Sequence, residues 1–250
     1  MFFADGETPA PAVVVPQLAS ASLDPLATAV VELLPARRRR LLPAPEPGIA
    51  AARVRSWYRD AWFARAEVER RSLVAATGQG AACLAALLRD RCTVTAAVRE
   101  PLQAMAALAE TGVELPRPDG LLALGSGDAR ALKPRVWLAS NPQSRALLSG
   151  LAETDDLPVT LGPPPDAERW RVLLLDELAT RLRLFKLEHV AGAARDVAME
   201  LGHPAKRAAR AADAAEERRA AAELPLLRGR HAELLRELNW LDAELYERAA

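Results

Sequence analysis

The amino-acid sequence predicts an α/β protein in which helices flank a parallel sheet, with a helix-rich carboxyl-terminal half. Residues 12–15 and 92–98 are short apolar runs, and each is followed by apolar residues at helical spacing. The chain has 250 residues, and 50% of them are hydrophobic, which allows a substantial core. We predict one domain over residues 1–250, in which residues 1–11 are irregular and residues 151–250 form the mainly helical part.

The first predicted strand covers residues 12–15, Ala-Val-Val-Val, and ends before Pro16. Apolar residues within 23–34 recur at three- and four-residue spacing and predict a helix. Pro25 suits the first turn of that helix, because an N–H group at that position would have no partner. Residues 16–22 therefore form a short loop between a strand and a helix.

The second core strand is predicted at residues 92–98, and a helix is predicted from Pro101 to about residue 110. Residues 111–135 carry Gly and Pro at intervals and predict a loop. A short extended piece is expected at residues 136–138, followed by a helix over residues 143–151.

The carboxyl-terminal half is predicted to contain four helices and one further strand. The helices are expected at residues 167–182, 190–201, 205–222 and 230–249, and the strand at residues 184–187. The leucines of the last helix lie on one side, which predicts core packing; a contact within a homodimer is the minority interpretation. A mainly helical protein is a further alternative, and it requires that the first two strands do not pair.

Composition excludes several classes of protein. Lys plus Arg and Asp plus Glu are both 33, so the formal charge is zero and a nucleic-acid partner is not expected. No apolar run reaches the roughly 18 residues that a transmembrane helix needs. The two cysteines, Cys83 and Cys92, belong to no Cys/His cluster that suits a metal, and we expect reduced thiols and a cytoplasmic location.

The loop after the first strand is the first candidate binding element. Its members are Gln17, Leu18, Ala19, Ser20, Ala21 and Ser22. Backbone amides in such a loop, with a helix N-terminus behind them, can hold a phosphate in a P-loop-like arrangement. The alternative is an ordinary turn, which the pattern taken alone favours.

Five short motifs, in order along the chain, resemble those of carbohydrate-type sulfotransferases. Residues 16–23 resemble the family's Pro-Lys-Thr-Ala-Gly-Thr-Ser-Leu loop, and residues 77–79 its Gly-His segment. Residues 98–101 resemble Leu-Arg-Asp-Pro, and residues 141–145 resemble Asn-x-Gln-x-Arg. Residues 239–246 resemble the carboxyl-terminal Asn-x-Leu-Asp-x-x-Leu-Tyr signature.

The resemblance implies a nucleotide sulfate donor, 3′-phosphoadenosine 5′-phosphosulfate (PAPS), whose desulfonated product is PAP. Residues 16–23 would hold the 5′-phosphate and Arg99 the 3′-phosphate, and a carbohydrate-like hydroxyl would accept the sulfuryl group. Arg145 is a further candidate for the nucleotide site, with a surface ion pair as its alternative role. No metal is implied.

The chain also departs from the family pattern. The family's loop lysine falls on Gln17, its glycine on Ser20, and the histidine that serves as a base in part of the family on Gln79. The second arginine and the serine for the 3′-phosphate fall on Ala104 and Ala107. The loss of several preorganised groups predicts very low turnover. The alternative is therefore a pseudoenzyme, a non-catalytic binding or interaction protein on this scaffold.

Two other charged segments are predicted to be structural. The arginines at residues 37–40 are expected to be a solvated helix end rather than ligands of the loop. Glu188 and His189 follow the last predicted strand, and His189 is expected to be structural or exposed rather than catalytic.

Overall fold

The computed structural model describes residues 13–14, 25–26, 29, 93–110, 113–124, 133–148, 157–179, 182–221 and 227–250. Three strands form one sheet in the order β1 (Val13–Val14), β2 (Thr93–Val98), β3 (Arg183–Lys186). Both pairs are parallel, with Val14 opposite Val94 and Val98 opposite Lys186. The predicted parallel pairing of the first two strands is therefore confirmed.

The middle strand β2 is buried on both faces. Thr95, Ala96, Ala97 and Val98 are all buried, although their side chains alternate between the two sides of the sheet. A short apolar run with no polar face is typical of a parallel strand that helices cover on both sides. This burial places the carboxyl end of β2 deep in the protein.

Helices make up most of the described chain, which is a mixed α/β protein. They are α1 (Pro101–Glu110), α2 (Pro118–Leu124), α3 (Lys133–Ala139), α4 (Pro142–Leu148), α5 (Ala167–Arg171), α6 (Val190–Glu200), α7 (Ala205–Ala221), α8 (Gly229–Leu238) and α9 (Trp240–Arg248). A wider, π-helical segment, Val172–Leu178, continues α5. A short 3₁₀ turn, Leu187–His189, joins β3 to α6.

Within the predicted loop over residues 111–135, residues 113–117 are irregular as predicted, but 118–124 and 133–135 are helical, and 111–112 and 125–132 lie outside the described residues. The extended piece predicted at residues 136–138 is wrong, because that segment is helical. Helix α2 begins at Pro118, and α3 covers the segment that was expected to be extended. Pro118 stands at the first helical position of α2. Proline fits there because it lacks an N–H group that would have no intrahelical partner.

The described core consists of two main clusters, and β2 contributes Ala97 to the first of them. One contains Leu26, Ala29, Ala97, Leu187, Val190, Ala193, Ala194, Val197 and Ala215. The other contains Leu102, Ala104, Met105, Leu121, Val136, Ala139, Ala232, Leu234, Leu235 and Leu238. The second cluster joins α1 to α8, and thereby connects the segment after β2 to the carboxyl-terminal helices.

Helices α6 and α7 form an antiparallel pair with a sharp turn between them. Gly202 has a φ of 77°, and the N–H of His203 donates to the carbonyl of Ala198 at 3.0 Å. This bond, with the one from Gly202 to Met199 at 2.9 Å, makes a Schellman ending, and Pro204 follows it. The predicted division into one helix over residues 190–201 and another over residues 205–222 is confirmed.

The single helix predicted over residues 230–249 is two helices, because Asn239 interrupts it with φ −107° and ψ 37°. Its leucines are nevertheless buried in the core as predicted: Leu234, Leu235, Leu238, Leu241 and Leu245. In the described ranges, no helix is both long and apolar enough to cross a membrane.

Helix α2 offers a matched pair of positions for testing the core. Leu121 is fully buried, whereas the neighbouring Leu122 is 52% exposed. We expect Leu121→Ala to lower the free energy of unfolding by about 2–5 kcal/mol, because it removes buried methyl groups and leaves a cavity. Leu122→Ala should change it by about 0.5 kcal/mol or less. Urea denaturation measures both, and equal effects would contradict the assignment of α2.

Candidate functional site

Arg99 lies at the carboxyl end of the middle strand and is only 7% exposed. The chain turns from β2 into α1 at Glu100, whose carboxylate accepts the N–H groups of Leu102 at 2.8 Å and Gln103 at 3.2 Å. Glu100 therefore caps α1, and Pro101 takes the first helical position. Because the cap starts the helix at once, Arg99 is held between the end of the strand and the start of the helix.

The backbone of Arg99 is fixed by one side chain from α4. The Oε1 atom of Gln143 accepts the N–H of Arg99 at 2.8 Å, and its Nε2 donates to the carbonyl of Arg99 at 2.8 Å. Gln143 is fully buried. Both backbone groups at the end of β2 are thus satisfied by a residue 44 positions further along the chain.

Helices α4 and α9 meet at their N-termini and cap each other. The carboxylate of Asp242, in the first turn of α9, accepts the N–H groups of Gln143 at 3.1 Å and Ser144 at 2.7 Å. It also accepts the hydroxyl of Ser144 at 2.5 Å. In return, the Oδ1 atom of Asn141 accepts the N–H groups of Leu241 at 2.8 Å and Asp242 at 3.1 Å. Each helix therefore supplies the cap that the other lacks.

Asn239 completes this arrangement and explains the break between α8 and α9. Its Oδ1 accepts the N–H of Asn141 at 2.7 Å, while its Nδ2 donates to the carbonyl of Leu235 at 2.8 Å. Asn141 has a positive φ of 48°, a conformation that asparagine adopts more readily than most residues. Its Nδ2 also donates to the carbonyl of Leu238 at 3.2 Å. We call Asn141, Gln143, Ser144, Asn239 and Asp242 the capping cluster.

Asp242 is the one acidic residue of the capping cluster and is fully buried. Burial raises its pKa above the ordinary value, and the hydrogen bonds from Ser144 and Gln143 oppose that rise. Its carboxylate faces the N-terminus of α4 from within the first turn of α9, so a negative charge there is favoured by the dipoles of both helices.

The guanidinium of Arg99 has no carboxylate within ion-pair distance among the described residues. The adjacent Glu100 uses its carboxylate to cap α1 and to accept from Arg236 at 3.4 Å. A guanidinium presents several N–H donors in a planar fork, which suits two oxygens of a phosphate or sulfate. Chemically, this edge of the sheet can receive an oxyanion.

A second group of side chains lies at the same edge, after β3. Because Val98 is opposite Lys186, the turn that follows β3 leaves the sheet beside Arg99. The hydroxyl of Tyr246 on α9 donates to the carboxylate of Glu188, and the Lys186 ammonium lies 5.0 Å from the Tyr246 ring centroid. Burial and the bond to Glu188 raise the pKa of Tyr246. His189 is exposed, as expected.

The other described candidate, Arg145, is 5% exposed rather than on the surface. Its Nε donates to the carbonyl of Ser140 at 2.7 Å, and its Nη2 to that of Leu157 at 2.7 Å. The guanidinium also lies 4.9 Å from the ring centroid of Trp137. These contacts connect α4 to the loop before α5, and the nucleotide role of Arg145 stays a prediction.

The remaining predicted site residues lie outside the described residues. They are Gln17, Leu18, Ala19, Ser20, Ala21, Ser22 and Gln79, together with the arginines at residues 37–40. Among the residues that the structure does describe, no group of three or more His, Cys, Asp or Glu side chains is placed to hold a metal ion.

Sequence reasoning missed the roles of Gln143 and Asn141. The resemblance marked both positions but gave no reason for them. A local signal existed for Asn141, because asparagine before proline is typical of a helix N-terminus. No local signal predicts that its side chain caps a helix about 100 residues away, or that Gln143 holds the end of β2.

The fold and this edge of the sheet define a mixed α/β protein with a buried cation at the carboxyl end of its middle strand. Comparisons with protein-family models, with curated proteins and with solved structures gave no match for this chain.

The capping cluster can be tested at Asp242. Because both carboxylate oxygens accept N–H groups, the amide of an Asp242→Asn variant must turn its own donor towards one of them. We expect the free energy of unfolding to fall by about 1–3 kcal/mol, the cost of an unsatisfied buried donor. Denaturant unfolding measures the change.

The matched control is Asp213→Asn on α7, where the side chain is exposed. It should leave the free energy of unfolding within about 0.5 kcal/mol of wild type. A wild-type stability for Asp242→Asn would contradict the capping role.

Proposed function

We propose that this chain binds the nucleotide PAP or PAPS at the carboxyl edge of its sheet, as a sulfotransferase-like protein on a P-loop-like scaffold. One observation carries the proposal: Arg99 is nearly buried at the end of the middle strand and has no carboxylate partner among the described residues. A cation with little exposure to solvent and no counterion would be stabilised by a bound oxyanion.

The position of Arg99 supports a ligand at this edge. In open parallel sheets flanked by helices, ligands bind in the crevice outside the carboxyl ends of the strands. Val98 and Lys186 are the last residues of β2 and β3 and lie opposite each other, so Arg99 and Leu187 follow the two strands at this edge. The planar guanidinium suits a terminal phosphate group such as the 3′-phosphate of PAP.

The direction of β1 also supports the proposal. Because β1 and β2 are parallel, with Val13 opposite Thr93 and Val14 opposite Val94, the chain runs in the same direction in both strands. The candidate phosphate loop, residues 16–22, follows β1 directly in the sequence. The proposed 5′-phosphate and 3′-phosphate ligands thus come from segments that follow two neighbouring strands.

In the proposed reaction, a hydroxyl of a carbohydrate-like acceptor attacks the sulfur of PAPS. The new O–S bond forms as the bond to the 5′-phosphate oxygen breaks, PAP leaves, and the hydroxyl proton passes to a base. Catalysis would depend on positioning and on stabilising charge on the leaving oxygen. Gln17 and Gln79, in place of the family's lysine and histidine, supply neither a cation nor a base at neutral pH.

The second candidate function is a non-catalytic binding protein on the same scaffold. The observation that favours it lies on α1, where Ala104 is fully buried and Ala107 is 6% exposed. These are the positions of the family's second arginine and serine, and here Ala104 packs in the core with Leu102 and Met105. Arg99 therefore lacks two of the neighbours that hold the nucleotide in active relatives.

The nucleotide site can be tested by calorimetric titration with PAP. We expect binding in wild type, and an affinity about 10- to 100-fold weaker in Arg99→Met, because a charge-assisted phosphate contact contributes about 1.5–3 kcal/mol. Arg230→Met is the control, because Arg230 is an exposed side chain paired with Glu233 on α8. No heat of binding in wild type at millimolar PAP would remove the proposal.

The two candidate functions are separated at Gln17. Gln17→Lys restores the family's cation, so it should tighten PAP binding and raise the slow rate of PAPS turnover. If PAP binding tightens while sulfuryl transfer to a panel of saccharides stays undetectable, the binding protein is the better description. An unchanged affinity would show that residues 16–22 are not the phosphate loop.

A further inference from the structure

We infer that Gln143 is a positioning residue for Arg99, and that its side-chain amide sets the affinity of the anion site without touching the ligand. This inference rests on the proposed function, because it concerns the same site. Through Gln143, α4 and the capping cluster then determine the orientation of the Arg99 guanidinium, which follows β2.

The amide group of Gln143 is chemically matched to its task. It accepts from the N–H of Arg99 and donates to the carbonyl of the same residue, both at 2.8 Å. Only a side chain with a donor and an acceptor side by side satisfies both backbone groups at once. Two such bonds limit rotation of the Arg99 backbone, and with it the direction in which the Arg99 side chain leaves the strand.

Gln143 is itself fixed by its place on α4. Its N–H donates to Asp242 at 3.1 Å, and the next residue, Ser144, gives two more hydrogen bonds to the same carboxylate. A displacement of α4 would therefore move the amide that holds Arg99. Small displacements matter, because oriented charge contacts lose energy steeply as their geometry worsens.

A merely structural role predicts a different outcome. If Gln143 only satisfies buried backbone groups, its replacement lowers stability and leaves the folded protein's affinity for anions unchanged. If it positions Arg99, the folded protein binds the anion less tightly. The two roles separate when affinity is measured well below the unfolding temperature, beside a variant of comparable stability.

The experiment compares PAP affinity in wild type, Gln143→Met and Gln143→Glu. The methionine variant has nearly the same size and neither hydrogen bond, and we expect about 10-fold weaker binding, the usual scale for losing an orienting partner. Leu121→Ala, which removes core packing on α2, should retain wild-type affinity. So should Gln103→Met, the same replacement on the half-buried outer part of α1.

Gln143→Glu adds a pH-dependent readout, because its carboxyl group keeps the donor–acceptor pair only while it is protonated. An ionised carboxylate accepts from the Arg99 N–H but cannot donate to its carbonyl, whereas a protonated one does both. The ionisable residues bonded to Gln143 are Arg99, directly after β2, and Asp242 on α9. Relative to wild type at each pH, the affinity deficit of Gln143→Glu should shrink as the pH is lowered from 8 to 5.

Wild-type affinity within about twofold for Gln143→Met would overturn the inference, as would a Gln143→Glu deficit that does not change with pH. If wild type itself binds no PAP, the proposed function fails. Hydrogen exchange at the Arg99 amide then tests the observation on which the inference rests. Protection lost in Gln143→Met but kept in Gln103→Met supports the hold of Gln143 on the Arg99 backbone, and unchanged protection in both overturns the inference.

Discussion

The exchange of caps between α4 and α9 is the interaction on which the described site depends. Two helix N-termini that face each other present unpaired N–H groups and the positive ends of two dipoles, an arrangement that is unfavourable when buried. Asp242 supplies negative charge and acceptors to α4, and Asn141 supplies acceptors to α9. Neither helix end is satisfied within its own segment, so the two must fold against each other.

This contact reaches the sheet through a small number of side chains. Gln143 extends from the capping cluster to the end of β2, and Tyr246 extends from α9 to Glu188 after β3. The last residue, Ala250, adds two backbone bonds to β3, from its N–H to Leu184 at 3.0 Å and from Lys186 to its carbonyl at 2.8 Å. The carboxyl-terminal helices thus brace the edge where the parallel strands end.

The acidic residues at this edge do not neutralise Arg99. The nearby acids have other partners: Glu100 caps α1, Asp242 caps α4, and Glu188 accepts from Tyr246. Exposed pairs such as Arg230 with Glu233 lie on the surface, where each contributes little stability. A buried guanidinium that no described carboxylate neutralises is therefore the feature with the clearest chemical consequence.

The sequence by itself determined the local elements. The residue pattern predicted β2, β3, α1, α6 and α7, whereas Arg99 was named through the resemblance of residues 98–101 to a sulfotransferase motif. Prolines misled the prediction at α2 and α3, because a helix start and a loop share the same residue types. The tertiary structure alone decided the break at Asn239 and the role of Gln143. Their partners lie 44 to about 100 residues away, and hydrogen bonds across that separation leave no periodic or local pattern in a sequence.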